Sequence, residues 1–153
     1  MRVRLFVLAA AMLVGLSVPV AAQAIGGCDP AVLQGPAFTQ CLTKAEKQST
    51  DQLSAVVAAA LGSIATRKGI YDSQRGRWRN SLTASQSSWI RFRNDECQNV
   101  APFEGQSGSS SVLQARTAAF DAKMICAVVM NSARAADLAR RYSLDPNQPG
   151  QTP

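Results

Sequence analysis

"SSWIRFRNDEC", residues 87–97, packs aromatic, basic and acidic side chains together ahead of a cysteine. It could be a basic-aromatic nucleic-acid surface, a catalytic cluster, or one face of a helix that a disulfide pins. Helical spacing decides for the third. Trp78, Leu82, Ser85, Trp89 and Phe92 follow one another by steps of four and three, a heptad-like seam suited to packing along a partner helix. Arg93 stands four residues after Trp89 on the core side, and Glu96 three after Arg93, so the two are placed to pair. Arg91 and Asp95 form an i, i+4 pair on the outer face, and Cys97 pins the end.

The seam belongs to a helix running from about Asp72 to Val100, with Pro102 ending the run. Upstream, Leu53, Val56, Val57, Ala60, Leu61 and Ile64 make the clearest core stripe in the chain. The polar "TKAEKQSTDQ" before it fits exposed early turns, and Gly69 suits a left-handed cap after it. The short connection around Gly69 folds these two helices back on each other as an antiparallel hairpin. Downstream, "EGQSGSSS" at 104–111 reads as a flexible loop. A third helix runs from near Ser111 to Tyr142, with Leu113, Thr117, Phe120, Met124, Ala127, Asn131, Leu138 and Tyr142 on one stripe when Ala135 fills its gap. The expected fold is all-α, a three-helix bundle built on a long antiparallel helical hairpin and stabilised by disulfides.

The first 24 residues read as a secretory signal peptide: Arg2 and Arg4, an apolar run, then the small residues Ala22 and Ala24 at the cleavage positions. The apolar run is short for a transmembrane span of ~20 residues. The expected helical domain occupies 25–143, and 144–153, rich in proline and polar residues, reads as a disordered tail. Without Arg2 and Arg4 the 16 basic residues become 14 against 10 acids, a modest surplus spread along the chain. Cys28, Cys41, Cys97 and Cys126 then enter an oxidising compartment, where two disulfides are the expectation. Spacing leaves the three pairings open. Cys126 lies nearly opposite the stripe of its own helix, so the segment bearing Cys28 is its natural partner, with Cys97 a second candidate if a loop lets it approach. "IGGC" at 25–28 loosely resembles a lipobox, and lipidation of Cys28 is the alternative to its pairing in a periplasmic or secreted protein.

With no histidine in the chain, the usual general base and the Ser-His and Cys-His nucleophile systems are missing. Asp95 and Glu96 are adjacent and point about 100° apart on a helix, unlike paired catalytic carboxylates. No phosphate-cradling glycine loop, C-x-x-C zinc pair or cofactor motif is present. The chain is read as a non-enzyme without cofactor or metal. "RKGIYDSQRGRWR" at 67–79 is the best nucleic-acid candidate, but Trp78, Trp89 and Phe92 are committed to the seam and unavailable for base stacking.

Several blocks together resemble the lysozyme-inhibitor LprI-like family of exported bacterial proteins. They are "FTQCLTKAEKQSTDQLSAVVAAA", "SLTASQSSWIRFRNDEC", "FEGQSGSSSVLQ" and "CAVVMNSARAADL". The most specific is Trp-x-x-aromatic-Arg-x-x-Glu-Cys, carried here by Trp89, Phe92, Arg93, Glu96 and Cys97. Two departures stand out: Asn131 where the family more often has threonine, and "EGQSG" interrupting its double glycine. The resemblance implies an all-helical, disulfide-bonded exported protein that binds a protein partner, lysozyme or another cell-wall hydrolase. A structural envelope accessory or an immunity protein is the alternative. Common lysozymes are basic, so binding one requires a local acidic patch, for which Asp95, Glu96 and Glu104 are the candidates. The expected partner-binding residues are Arg91 and Asp95 on the outer face and Phe103 and Glu104 in the exposed loop from Ala101 to Ser111.

Overall fold

The computed structural model describes residues 25–106 and 108–144. The expected signal peptide and the expected tail beyond Leu144 lie outside the described residues. Four α-helices follow in order: α1 (Pro36–Ala65), α2 (Asp72–Asp95), α3 (Ala101–Gly105) and α4 (Val112–Tyr142), with a π-helical segment, Glu96–Val100, between α2 and α3. Among the described residues, extended structure is confined to a bridge between Ile25 and Cys28. The fold is an all-α bundle of three long helices carrying two disulfides, Cys28–Cys41 and Cys97–Cys126.

Side-chain pairs give the direction of each helix. Thr39 Oγ1 donates to Asp121 Oδ1 and Asn131 Nδ2 donates to Ser49 Oγ, both across 82 residues. A constant separation means that α1 and α4 run parallel. Between α2 and α4 the separation shrinks from 64 residues at Trp78–Tyr142 to 48 at Gln86–Arg134 and 38 at Arg93–Asn131. It reaches 29 at Cys97–Cys126, so α2 is antiparallel to both. The expected α1–α2 hairpin is present, yet the principal apolar interface joins α1 to α4.

That interface holds two apolar clusters. One comprises Leu53, Ala60, Ile64, Leu82, Ala135 and Leu138, with Val56, Val57 and Leu61 packed against it. The other comprises Cys28, Leu42, Ala45, Met124 and Val128. The early turns of α1 are therefore not simply exposed: Leu42, Ala45 and Ser49 are all buried. Between the clusters lies a polar layer centred on Asn131, which is fully buried. Its Oδ1 accepts from Arg93 Nη1 at 2.8 Å, and its Nδ2 donates to Ser49 Oγ at 3.1 Å and Thr50 Oγ1 at 3.0 Å. One amide thus ties together all three long helices.

The polar layer corrects the expected seam of α2. Leu82 and Gln86 are buried and Trp89 and Arg93 half-buried, whereas Ser85 is exposed, Phe92 is 54% exposed and Trp78 sits at the surface. The inner line is 82, 86, 89, 93, which shares two members with the expected one. Arg93 is directed at Asn131, bonds Asn94 Oδ1 and lies 5.7 Å from the Trp89 ring centroid; Glu96 is not its partner. Arg91 and Asp95 do not pair either, since Arg91 Nη2 donates to Ser88 Oγ. Arg93→Ala should therefore cost about 1–3 kcal/mol by leaving a buried acceptor unmet. Arg91→Ala should stay within about 0.5 kcal/mol, and thermal melts of the two variants make the comparison.

Helix ends follow local chemistry. α1 starts at Pro36, a residue pre-set for the first turn, after Gly35 at φ 52°. It stops at Ala65, short of Gly69, whose φ of 82° turns the connection instead of capping the helix. Arg75 closes that connection by donating to the carbonyls of Arg67 at 2.9 Å and Ile70 at 2.8 Å. At the end of α4, Ser143 is left-handed, Ser143 N–H bonds Arg140 O and Leu144 N–H bonds Ala139 O, a Schellman cap. Leu144, expected in the tail, is consequently packed against the core.

Asp137 gathers Arg134, Arg140 and Arg141 at this end of α4. The Arg141 hydrogen bond, aided by the charges of Arg134 and Arg140, holds its carboxyl below the usual carboxylate value against the opposing effect of burial. A depressed folded pKa contributes stability above the unfolded value, lost as pH falls through the folded one. Asp137→Asn should lower the Tm by a few degrees near neutrality. The gap to the parent should close as pH drops below about 4, as melts across that range would register.

Candidate partner-binding surface

The π segment begins where Pro102 disturbs the helix that would otherwise continue α2. Pro102 cannot donate to Gln98 O, and its ring would crowd that carbonyl. The backbone widens, and Ala101 N–H reaches back to Glu96 O. Within this segment Cys97 meets Cys126 at a Cα–Cα distance of 5.4 Å. That is the pairing left as second candidate above; Cys28 instead bonds Cys41, because the turn at Ile25–Cys28 folds the amino-terminal segment back along α1.

Beyond the π segment the expected loop opens with helix α3, in which Pro102 occupies the first turn. α3 lies against the start of α4 at Gly105, where a Cβ would come within 2.7 Å of the Ala118 carbonyl oxygen and also meet the Ala122 methyl. Only glycine permits this approach. Ser111 Oγ then accepts from Gln114 N–H and starts α4.

The register of α1 on α4 leaves the first turns of α4 uncovered. With partners 82 residues apart, Pro36 stands level with Ala118, so residues 112–117 overhang the end of α1. The stripe expected to be core from Leu113 onward is buried only from Met124. Val112 and Leu113 are each 75% exposed, and Phe120 is 44% exposed. Beside them, an open cleft of about 630 Å³ is lined by Gly105, Ser109, Leu113, Thr117 and Asp121 among others.

Arg91, Asp95, Phe103 and Glu104 are all exposed, Phe103 at 74%. Arg91 and Asp95 sit on the last turns of α2 and Phe103 and Glu104 on α3, at the same end of the bundle as the overhang. No hydrogen bond or ion pair links the two pairs among the described residues. Leu113 and Phe120 carry the spacing of a core stripe yet lie at the surface, and Val112 beside them falls outside that stripe. The place where α1 begins leaves Val112 and Leu113 uncovered, whereas Phe120 is level with the first turn of α1 and is half-exposed there.

Charge is segregated along the bundle axis. Residues 25–52 and 87–131, which form this end, carry seven acids against six Lys and Arg. The remaining described residues, 53–86 and 132–144, carry two acids against eight. Among the described residues the net positive charge therefore resides wholly at the far end.

The family model for the lysozyme inhibitor LprI matches residues 28–138. This chain belongs to the lysozyme inhibitor LprI family. The match takes in α1, α2, the π segment, α3 and nearly all of α4, and with them both disulfides. Comparison with curated proteins and with solved structures gave no match. In this LprI chain the Trp89–Cys97 motif serves packing: Trp89 and Arg93 face inward, and Cys97 joins the π segment after α2 to α4. Membership in an inhibitor family accords with a protein that binds a protein. Among the described residues no helix is long and apolar enough to cross a membrane.

Proposed function

We propose that this protein inhibits a lysozyme or a related cell-wall hydrolase by docking the end of the bundle that bears α3 and the overhang of α4. The supporting observation is the conjunction there of exposed Phe103, Val112 and Leu113 with the acid-balanced half of the chain. Exposed apolar side chains that cluster near a cleft supply area for a partner interface. A basic hydrolase approaching this end avoids the repulsion of the far end, and Asp95 and Glu104 meet its cations. Charge on the whole chain would oppose such an encounter, whereas its segregation orients it. The export and the periplasmic or secreted location read from the leader and disulfides would bring the two proteins together.

Titration of the purified protein into a turnover assay of a basic animal lysozyme on bacterial walls tests the reading. Inhibition should appear, and Phe103→Ser combined with Leu113→Ser should weaken it by at least about tenfold, as for loss of central apolar contacts. Both positions are exposed, so the helical signal and the Tm of the double variant should match the parent. Undiminished wall hydrolysis in large molar excess of the parent protein would retire the proposal.

A further inference from the structure

The opposite end of the bundle carries cations that the fold does not use. Of its two acids, Asp72 pairs with Arg75, and Asp137 is shared by Arg134, Arg140 and Arg141. Arg67, Lys68, Arg77 and Arg79 are exposed and make no ion pair among the described residues. They come from the α1–α2 connection and the first turns of α2, and Arg140 and Arg141 stand beside them at the end of α4. α2 runs antiparallel to its neighbours, so these segments lie together at one end.

This end also holds three of the four Trp and Tyr residues of the chain, Tyr71, Trp78 and Tyr142. Tyr71, at the tip of the connection, is 79% exposed, the highest value among the exposed large apolar side chains. Trp78 donates its indole N–H to Tyr142 Oη at 3.2 Å, lies under the Arg67 guanidinium at 5.6 Å, and is still 36% exposed. Amphipathic aromatics ringed by arginine and lysine are the side-chain set that settles at a bilayer headgroup region. A linear polyanion would ask for cations in file along a groove with aromatics stacked between them. Here they are distributed over separate segments of a blunt end, as a plane of charges requires.

We infer that the basic end, through Lys68, Arg77 and Arg79 around Tyr71 and Trp78, adsorbs to the anionic headgroups of a phospholipid bilayer. The attachment is peripheral and salt-sensitive, and it points the α3 end away from the surface. It does not depend on whether the α3 end inhibits a hydrolase.

Sedimentation of the purified exported protein with vesicles tests this. Vesicles of phosphatidylcholine mixed with phosphatidylglycerol should carry the protein down, and vesicles of phosphatidylcholine alone should not. Each cation removed at the surface is worth about fivefold in partition, so Arg77→Gln with Arg79→Gln should lower it by roughly 25-fold. Lys44→Gln with Lys47→Gln removes the same charge from the other end and should leave partition nearly unchanged. Equal losses from the two double variants would reduce the effect to overall charge and overturn the assignment. So would equal binding to neutral vesicles, or binding to soluble polyphosphate with none to the anionic vesicles. Circular dichroism should not distinguish the Arg77/Arg79 variant from the parent.

Discussion

Asn131→Ala should be among the most damaging single substitutions in this protein, at about 2–4 kcal/mol, with a fall in Tm of roughly 10 °C. The amide is fully buried and both its oxygen and its nitrogen are bonded, so its removal does more than open a small cavity. Arg93 keeps its charge in a half-buried site without the acceptor at 2.8 Å, and Ser49 and Thr50 lose the donor that they shared. Unmet groups of this kind carry their full desolvation cost, whereas a surface hydrogen bond lost to water costs little. Because Asn131 and Arg93 act on each other, the double variant Asn131→Ala/Arg93→Ala should be less unstable than the two single losses added together. Denaturant titration of the four proteins measures that coupling, and strict additivity would show that the pair is not one unit. Asn131→Thr, which keeps one hydroxyl at the position, should fall between parent and alanine variant.

The same residue shows why some of the architecture could be read from the chain and some could not. Apolar periodicity locates Leu53, Ala60, Ile64 and Leu138 correctly, since an apolar stripe facing an apolar stripe is what the spacing rule describes. On α2 the rule has two nearly equivalent answers. Leu82 and Trp89 belong to both, and the three- and four-residue steps after Trp89 put Phe92 and Arg93 alike on the inner side. The facing surface is Asn131 and Arg134, so the arginine goes in and the phenylalanine stays out. Spacing on α2 already puts Arg93 on the core side; what α2 alone does not contain is that its partner is Asn131 instead of Glu96 and that Phe92 is left outside.

The candidate surface was half legible for a related reason. Phe103 and Glu104 could be picked from a segment rich in glycine and serine, because loops held by rigid elements are open to solvent. Their backbone conformation could not, because Pro102 in a first helical turn and Pro102 as a helix terminator look alike in sequence. Leu113 is apolar at core spacing, and what exposes it is a register set elsewhere, by Thr39 on Asp121 and Ser49 on Asn131.

Removing the Cys97–Cys126 bridge by paired alanine substitution should cost about 3–4 kcal/mol, the value expected for closing 29 residues in the unfolded chain. The Cys28–Cys41 bridge spans only 13 residues and should be worth about 3 kcal/mol, so the totals are close and the places affected must separate them. α2 has one buried apolar residue, Leu82, and meets α4 mainly through polar pairs: Arg93 with Asn131, and Ser85 and Gln86 with Arg134. Those pairs can exchange with water once the chain is free to move, so the disulfide is what keeps the end of α2 seated. Loss of Cys97–Cys126 should therefore raise amide exchange from Trp89 through Gly105 far more than in α1. Loss of Cys28–Cys41 should raise it only around the first turns of α1. If inhibition resides at the α3 end, the first variant should lose it at temperatures where the second still inhibits, although both remain largely folded. Uniform exchange in both variants would mean that α2 is held by its polar contacts alone, and the disulfide would then act only on the unfolded chain.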